Sequence, residues 1–337
     1  MKNVIVIGAG LSGLVCAKHL RRAGVDVTIV EKSAGVGGRM ATRRMQGTWV
    51  DHGAQYITVR SESFERFINK LIDRGIVQEW TRTIYKLTPE GLVAPGADEM
   101  YPRYSCPQGM TAIAKHLAEG QNVRLAKRIV NVDIQDGRWN LTCEDGEAIA
   151  AAAVVATMPA PQFLPLFESV LSETPTFLKT VRLVKFAPCI TIMAGYSNQQ
   201  EIPHEWQAIS CTDDPILSWV GLDSSKHSTH SSQPVFVFQS TAEFAQQSLE
   251  EHNLEIAGKP LLEQVSQYLA PWLSQPEWWQ VHRWHYALAQ EALGVACLST
   301  ETPLPLVCAG DWCAGENLEG AYQSGCEAAM SLLEMLA

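Results

Sequence analysis

The segment Val4-Ile5-Val6-Ile7-Gly8-Ala9-Gly10-Leu11-Ser12-Gly13 leaves this chain few choices of fold. Four consecutive β-branched residues with no polar alternation read as a strand covered on both faces, the situation of a parallel sheet. The strand enters Gly-x-Gly-x-x-Gly directly, and Leu14, Val15, Ala17, Lys18 and Leu20 to Arg22 continue as a helix that Gly24 stops. A second strand, Val27-Thr28-Ile29-Val30, ends in Glu31, 18 residues past Gly13. Strand, glycine turn, helix, strand and acid stand in the order of a dinucleotide site. Gly8 permits the tight turn, Gly10 lets the backbone approach a pyrophosphate, and Gly13 lets helix pack on strand. The helix opening at Leu11 and Ser12 then turns its N–H groups to the phosphates. Glu31, followed by Lys32, is placed to accept hydrogen bonds from the ribose hydroxyls of an adenosine, and its charge would repel a 2′-phosphate.

Which dinucleotide is bound depends on segments further along. Gly37-Gly38-Arg39-Met40 is a second glycine turn carrying a cation that can offer a fork to phosphate. Near the far end, Leu306-Val307-Cys308-Ala309-Gly310-Asp311 is another apolar strand stopping at Gly-Asp, and Gly320-Ala321 opens a last helix running from 322 to about 336. A carboxylate at a strand end can hold a ribityl hydroxyl, and a helix N-terminus can stabilise the electron-rich side of a reduced flavin.

Those glycine turns, with Glu31 and Ala309-Gly310-Asp311, resemble the FAD-containing amine oxidase superfamily. Within it, Asp51-His52-Gly53-Ala54-Gln55-Tyr56-Ile57-Thr58, Arg283-Trp284-His285-Tyr286-Ala287 and Cys308-Ala309-Gly310-Asp311-Trp312-Cys313 closely resemble the bacterial renalase branch. The resemblance implies noncovalent FAD, because Leu318-Glu319-Gly320-Ala321-Tyr322 has no cysteine at the cofactor turn. It adds Gly53, Ala54, Gln55, Tyr56, Val130 and Thr157 to the cofactor contacts. Pocket walls would come from Tyr56, Trp284, Tyr286 and Trp312, with Gln55, His285 and Glu316 as polar candidates; His285 also reads as a structural histidine, and Arg283 as either a phosphate partner or a surface cap. The implied activity is oxidation of the 1,2- and 1,6-dihydro isomers of NAD(P)H to NAD(P)+, with hydride passing to FAD and O2 becoming H2O2. Oxidation of an amine, with Tyr286 and Trp312 flanking it, and a flavin-binding protein without turnover stand as alternatives.

The expected fold is α/β: a Rossmann-type FAD-binding domain from 1–60, 106–160 and 288–337, with an α+β substrate domain from 61–105 and 161–287. This is the two-domain architecture of amine oxidases and p-hydroxybenzoate hydroxylase. Helical spacing of Phe64, Phe67, Ile68, Leu71 and Ile72 suggests a helix from 61 to about 80. The stretch 223–233, with Ser224, Ser225, Ser228, Ser231 and Ser232, reads as a solvated loop, and His227 with His230 lacks a third ligand for a metal. No second Gly-x-Gly-x-x-Gly follows a strand, so a separate nicotinamide-dinucleotide domain is not expected. No nucleophilic triad or carboxylate dyad argues for hydrolysis.

Partners are bounded by charge: 26 Lys+Arg against 36 Asp+Glu give a net charge of −10, which disfavours nucleic acid. No apolar run reaches the ~18 residues of a spanning helix, and the start lacks the shape of a signal peptide, so a cytoplasmic monomer or homodimer is expected. Nine scattered cysteines without Cys-x-x-Cys suggest neither zinc nor a disulfide framework. The small-molecule partners expected are therefore a dihydronicotinamide nucleotide and O2.

Overall fold

Apolar runs that alternate nowhere are expected to lie between two layers, and the first sheet of the computed structural model places them there. The structure describes residues 3–227 and 233–337; Ser228, His230, Ser231 and Ser232 lie outside the described residues. Six strands run in the order Leu298–Thr300, Leu306–Cys308, Ala153–Ala156, Asn3–Ile7, Asp26–Val30, Asn122–Arg124. Neighbours are parallel except the first pair. Val4, Val6, Ile29, Val155 and Val307 face the helices Leu11–Arg22 and Leu318–Leu336. Ile5, Ile7, Val154, Ala156 and Leu306 face the opposite layer, with Trp139, Leu141, Phe163 and Phe167. Full burial of each such side chain stabilises by about 1.5–3 kcal/mol, so the sheet is held from both sides.

The close approach of helix and strand depends on Gly13, where a Cβ would lie 2.1 Å from the Gly8 carbonyl oxygen. Glu31 ends its strand 7% exposed, accepting the backbone N–H groups of Ala9 and Ser33, each at 2.8 Å. Its strand-end position is thereby fixed before any ligand arrives. Residues 122–156 return to this sheet through an antiparallel three-stranded sheet whose tight turn, Asp136-Gly137, has both φ angles positive.

The second large sheet has seven strands in the order Trp278–Ala289, Phe186–Gly195, Val235–Ser240, Leu217–Leu222, Ala208–Cys211, Tyr85–Thr88, Gly91–Val93. Its strands alternate. Ile192, Ala194, Phe236, Phe238 and Val220 pack against Leu261, Leu262 and Val265 of the helix Leu254–Tyr268. Met193, Val235 and Val237 point the other way, onto Val50 of the hairpin Thr42–Met45 and Thr48–Asp51. The face away from the helix therefore meets the segment that follows the second glycine turn.

Three expectations need correction. The helix from Ser61 runs only over Glu62–Ile72; Gly75, with φ +67°, turns the chain, and Gln78–Thr81 is a strand paired with Arg103–Ser105. The last helix begins at Leu318, four residues early, because Asn317 accepts the N–H of Gly320 as its N-cap. The serine-rich loop is not simply solvated, for Asp223 and Lys226 are fully buried.

Candidate active site between the two sheets

At the opening of the first helix the N-cap is Gly10, which has no side chain to satisfy the leading N–H groups, and a Cβ placed there would meet no atom within 4 Å. Uncapped donors beside open space make an anion cradle. The second glycine turn lies against it, with Gly37 donating to the Ala9 carbonyl at 2.9 Å. On the far side, Thr157 donates from Oγ1 to the carbonyls of Ile7 and Gly8, and Ser12 Oγ donates to the Ala321 carbonyl at 2.6 Å. Gly8 and Thr157 thus meet on one side of this turn, and Ser12 and Ala321 on the other. Val130 is 47% exposed, three residues past Lys127, whose N–H bonds the Glu31 carbonyl. Lys32 turns away from Glu31 and donates to Gln162 Oε1 at 3.2 Å.

Arg39 and Asp311, read separately as phosphate and ribityl partners, are brought together. Arg39 Nη1 and Nη2 donate to the two Asp311 carboxylate oxygens at 2.6 and 2.5 Å, and Nη1 also reaches the Ala287 carbonyl. The guanidinium lies 5.6 Å from the centroid of Phe186, whose ring meets Tyr286 edge-on. Gly38 belongs to the same turn, but the Met40 side chain is 2% exposed core, its N–H donates to the Gly37 carbonyl and its carbonyl accepts from Thr111 Oγ1. Gly310 donates to Ser324 Oγ, fixing the strand end that presents Asp311.

The turn 51–56 joins the two sheets. Ala54 N–H donates to the Arg39 carbonyl, and a Cβ on Gly53 would sit 2.1 Å from that oxygen and 3.3 Å from the Trp284 ring. Only glycine allows this approach. Trp284 stacks on His52 at 5.2 Å and donates from its indole nitrogen to the His52 carbonyl. His282, two residues earlier on the same strand face, meets Trp284 edge-on at 4.4 Å and His52 at 4.8 Å. Arg43 reaches this row, donating to Gln280 Oε1 and His282 Nδ1, each at 2.9 Å. Burial, then the charges of His282 and Arg43, lower the His52 pKa to about 3; burial, then Arg43, lowers that of His282 to about 4. Both imidazoles are neutral near pH 7. Among the described residues no carboxylate bonds to Arg43, His52 or His282.

Several expected wall residues lie elsewhere. Trp312 is 1% exposed inside the core that contains Phe163 and Ala156, with its indole N–H on the Met158 carbonyl, so it is packing rather than wall. Arg283 falls on the helix-facing side of its strand, where Nη1 bonds the Glu251 carbonyl; strand alternation removes it from Trp284's face. His285 also leaves that face and is exposed. Glu316 is exposed and accepts the Ala292 N–H. Gln55 is fully engaged inside the protein, donating to the carbonyls of Asp51 and Gly53 and accepting from Lys226. Tyr56 packs against Trp219 at 5.5 Å, beneath the second sheet.

Sequence reasoning missed a buried ionic cluster under this turn. Asp51 Oδ1 accepts from Thr42 Oγ1 at 2.5 Å and the Met110 N–H at 2.9 Å; Oδ2 has no hydrogen-bond partner and lies 3.8 Å from His227 Nε2. Asp223 accepts from Lys226 Nζ at 2.8 Å, from His227 Nε2 at 2.8 Å and from the Asp51 N–H at 3.1 Å. All four side chains are fully buried. Burial first, then Asp223, raises the Asp51 pKa to about 6. Burial alone would lower that of His227, but the charge and hydrogen bond of Asp223, then Asp51, raise it. Asp51, Asp223 and His227 offer ligand atoms within 4.8 Å of one another, correcting the expectation that no carboxylate accompanies His227. The Lys226 ammonium already occupies the other Asp223 oxygen, so the group reads as an ion cluster. The spacing Asp223-x-x-Lys226-His227, one helical turn, was the available signal.

Comparison with known proteins agrees with this architecture. Residues 6–71 match an NAD(P)-binding Rossmann-like domain, and residues 77–333 match the flavin containing amine oxidoreductase family. Renalase of Mus musculus is 27% identical over the whole chain and 99% of its own length. The fold is shared with a putative protoporphyrinogen oxidase from Exiguobacterium sp. 255-15 (TM-score 0.75, 15% identity) and with cyclohexylamine oxidase from Brevibacterium oxydans IH-35A (TM-score 0.71, 14% identity), each covering 99% of both chains. The two-sheet architecture and a family match over most of the chain have one reading: this protein belongs to the flavin containing amine oxidoreductase family, as a renalase-like, flavin-dependent oxidoreductase.

Proposed function

We propose that the chain binds FAD noncovalently and oxidises the 1,2- and 1,6-dihydro isomers of NAD(P)H to NAD(P)+, with O2 reduced to H2O2. The observation that carries this reading is the face of Trp284: an aromatic ring, two neutral histidines and Arg43, with no carboxylate bonded among them. A cationic amine would find no anion there and one positive charge, whereas an anionic nucleotide finds a cation and a ring to lie against.

The cofactor fits the residues present. The uncapped N–H groups at Gly10, Leu11 and Ser12 would take the pyrophosphate, in the space left open at Gly10. Glu31 keeps a lone pair on each oxygen for ribose hydroxyls beyond its two backbone bonds. Arg39 with Asp311, and the turn Gly53-Ala54, would border the ring. Of the domain division 1–60, 106–160 and 288–337 against 61–105 and 161–287, the strands of the two large sheets fall largely on the expected sides, whereas the helices Glu62–Ile72, Ala160–Phe167 and Pro175–Leu183 pack on the first sheet.

When bound, FAD supplies the acceptor for one hydride and the relay of two electrons to dioxygen. The chain's part is orientation. Trp284, locked by His52 and by its indole hydrogen bond, is a rigid wall, and rigid positioning of a donor carbon is the main catalytic demand of hydride transfer. Neutral His52 and His282 neither repel Arg43 nor deliver protons in the neutral range.

The test is anaerobic stopped-flow reduction with borohydride-treated NAD+, pure NADH and a panel of amines. Rapid flavin bleaching by the isomer mixture alone is expected. Bleaching by an amine alone would establish amine oxidation instead, and no bleaching would favour binding without turnover. Acid precipitation should leave a colourless pellet; a yellow one would overturn noncovalent attachment.

A further inference from the structure

Some arginines of this protein pair with carboxylates, Arg39 with Asp311, Arg82 with Glu79, Arg124 with Glu147 and Arg182 with Glu168, while others, such as Arg103 and Arg283, bond backbone carbonyls. Arg43 has no carboxylate partner among the described residues and lies next to the candidate site. It projects from the strand Thr42–Met45 across to the edge strand Trp278–Ala289, where its partners are the neutral acceptors Gln280 and His282. Half-burial makes a cation more costly to hold, and neutral acceptors offset that cost only in part.

We propose that Arg43, oriented by His282, forms an anion subsite that takes the substrate's 5′-phosphate, one ribose away from the dihydronicotinamide ring facing Trp284. The proposal rests on the nucleotide reading above. Because Arg43 donates to Nδ1 of His282, the ring proton of the neutral imidazole is on Nε2. That N–H has no acceptor among the described residues. The subsite therefore offers one fixed cation, held on one strand face by His282 Nδ1 and by Gln280 two residues earlier, while the imidazole N–H points away from the guanidinium. The guanidinium N–H groups left over from those two bonds can make charge-assisted hydrogen bonds to a phosphate oxygen without rearranging the side chain.

The spacing selects a phosphate rather than a group on the ring itself. His282 stands between Arg43 and Trp284, its ring 4.4 Å from the indole centroid, so the cation is one side chain further from the wall than the reacting ring. A ribose fills that interval in a nicotinamide mononucleotide. The same phosphate is half of the pyrophosphate in a dinucleotide, so both forms carry the required chemistry. Arg283, considered from the sequence for this task, faces the helix Leu254–Tyr268 instead.

The experiment compares flavin reduction by isomeric dihydronicotinamide mononucleotide with reduction by its dephosphorylated riboside, in the flavin-loaded wild type, Arg43→Met and Arg43→Lys. The mononucleotide is expected to be favoured about ten- to a hundredfold in wild-type efficiency, the range of one charge-assisted contact. Arg43→Met should bring that ratio towards one, and Arg43→Lys should restore part of it. A ratio near one in wild type, or an unchanged ratio in Arg43→Met, overturns the subsite. Equal loss on both compounds would mark Arg43 as structural only. Failure of both compounds in wild type beside reduction by an amine overturns the nucleotide reading and the subsite with it. Adding the dinucleotide isomer separates the two phosphate sources: equal ratios for mononucleotide and dinucleotide mean that the 5′-phosphate alone is read.

Discussion

Replacing Lys226 by Met removes the only fixed cation from the cluster beneath the turn 51–56 while keeping a side chain of similar length. In the native protein Lys226 Nζ is 2.8 Å from Asp223 Oδ1 and 2.9 Å from Gln55 Oε1, with no exposure at all. Without it, two buried carboxylates share one imidazole, and breaking a buried pair by removing one partner costs about 3–5 kcal/mol. The cost should depend on pH. Asp51 and His227 both bind a proton more tightly folded than unfolded, so their contribution is complete below the unfolded values and is lost as pH rises through the folded ones. A proton taken up by Asp51, whose pKa already stands near 6, replaces part of the missing charge. The full 3–5 kcal/mol is therefore expected at about pH 8, and at least ~1.4 kcal/mol less at about pH 5, the equivalent of one pKa unit. Urea unfolding followed by tryptophan fluorescence at the two pH values reads both numbers. Adding Asp51→Asn to the Met variant removes the surplus negative charge and should recover most of the loss at pH 8. A cost under ~1 kcal/mol at both pH values, or a cost independent of pH, or no rescue, refutes the charge-balance argument.

Other outcomes follow from single contacts. Glu31→Ala should weaken flavin retention about ten- to a hundredfold, measured by equilibrium dialysis, since a charged acceptor contributes about 1.5–3 kcal/mol; unchanged retention would mean that this acid does not touch the cofactor. Gly10→Ala and Gly13→Ala should part company: the first meets no atom within 4 Å and should fold normally with reduced flavin content, while the second drives a methyl to 2.1 Å from a backbone oxygen and should lower the melting temperature of the flavin-free protein. Trp312→Ala should cost about 3–5 kcal/mol of stability yet leave turnover per bound flavin nearly unchanged; a tenfold loss of turnover in folded protein would return Trp312 to the pocket.

Legibility from sequence followed the range of the physics involved. The strand, glycine turn and helix at 3–22 depend on neighbours in the chain, and they appear where the apolar run and the glycines put them. The Asp136-Gly137 hairpin was equally local. The helix read from Ser61 to about 80 failed at its end because apolar spacing persisted past Gly75, where a positive φ and a strand partner at Arg103–Ser105 decided otherwise. Trp312 looked like a wall because it follows Gly310-Asp311, but sequence adjacency does not say which side of the sheet a ring enters. His52 and His282 are 230 positions apart and carry no shared motif, so their contact had no sequence signal.

The sequence by itself determined the nucleotide-binding turn and the family, since glycine spacing and apolar runs are local properties written into contiguous residues. Tertiary structure alone decided which charges meet. It paired Arg39 with Asp311, buried Lys226 against Asp223 and Gln55, and left Arg43 beside Trp284 without a carboxylate. Electrostatic partners are chosen by strand register and by which face of a sheet is covered, and neither quantity exists until distant segments have packed.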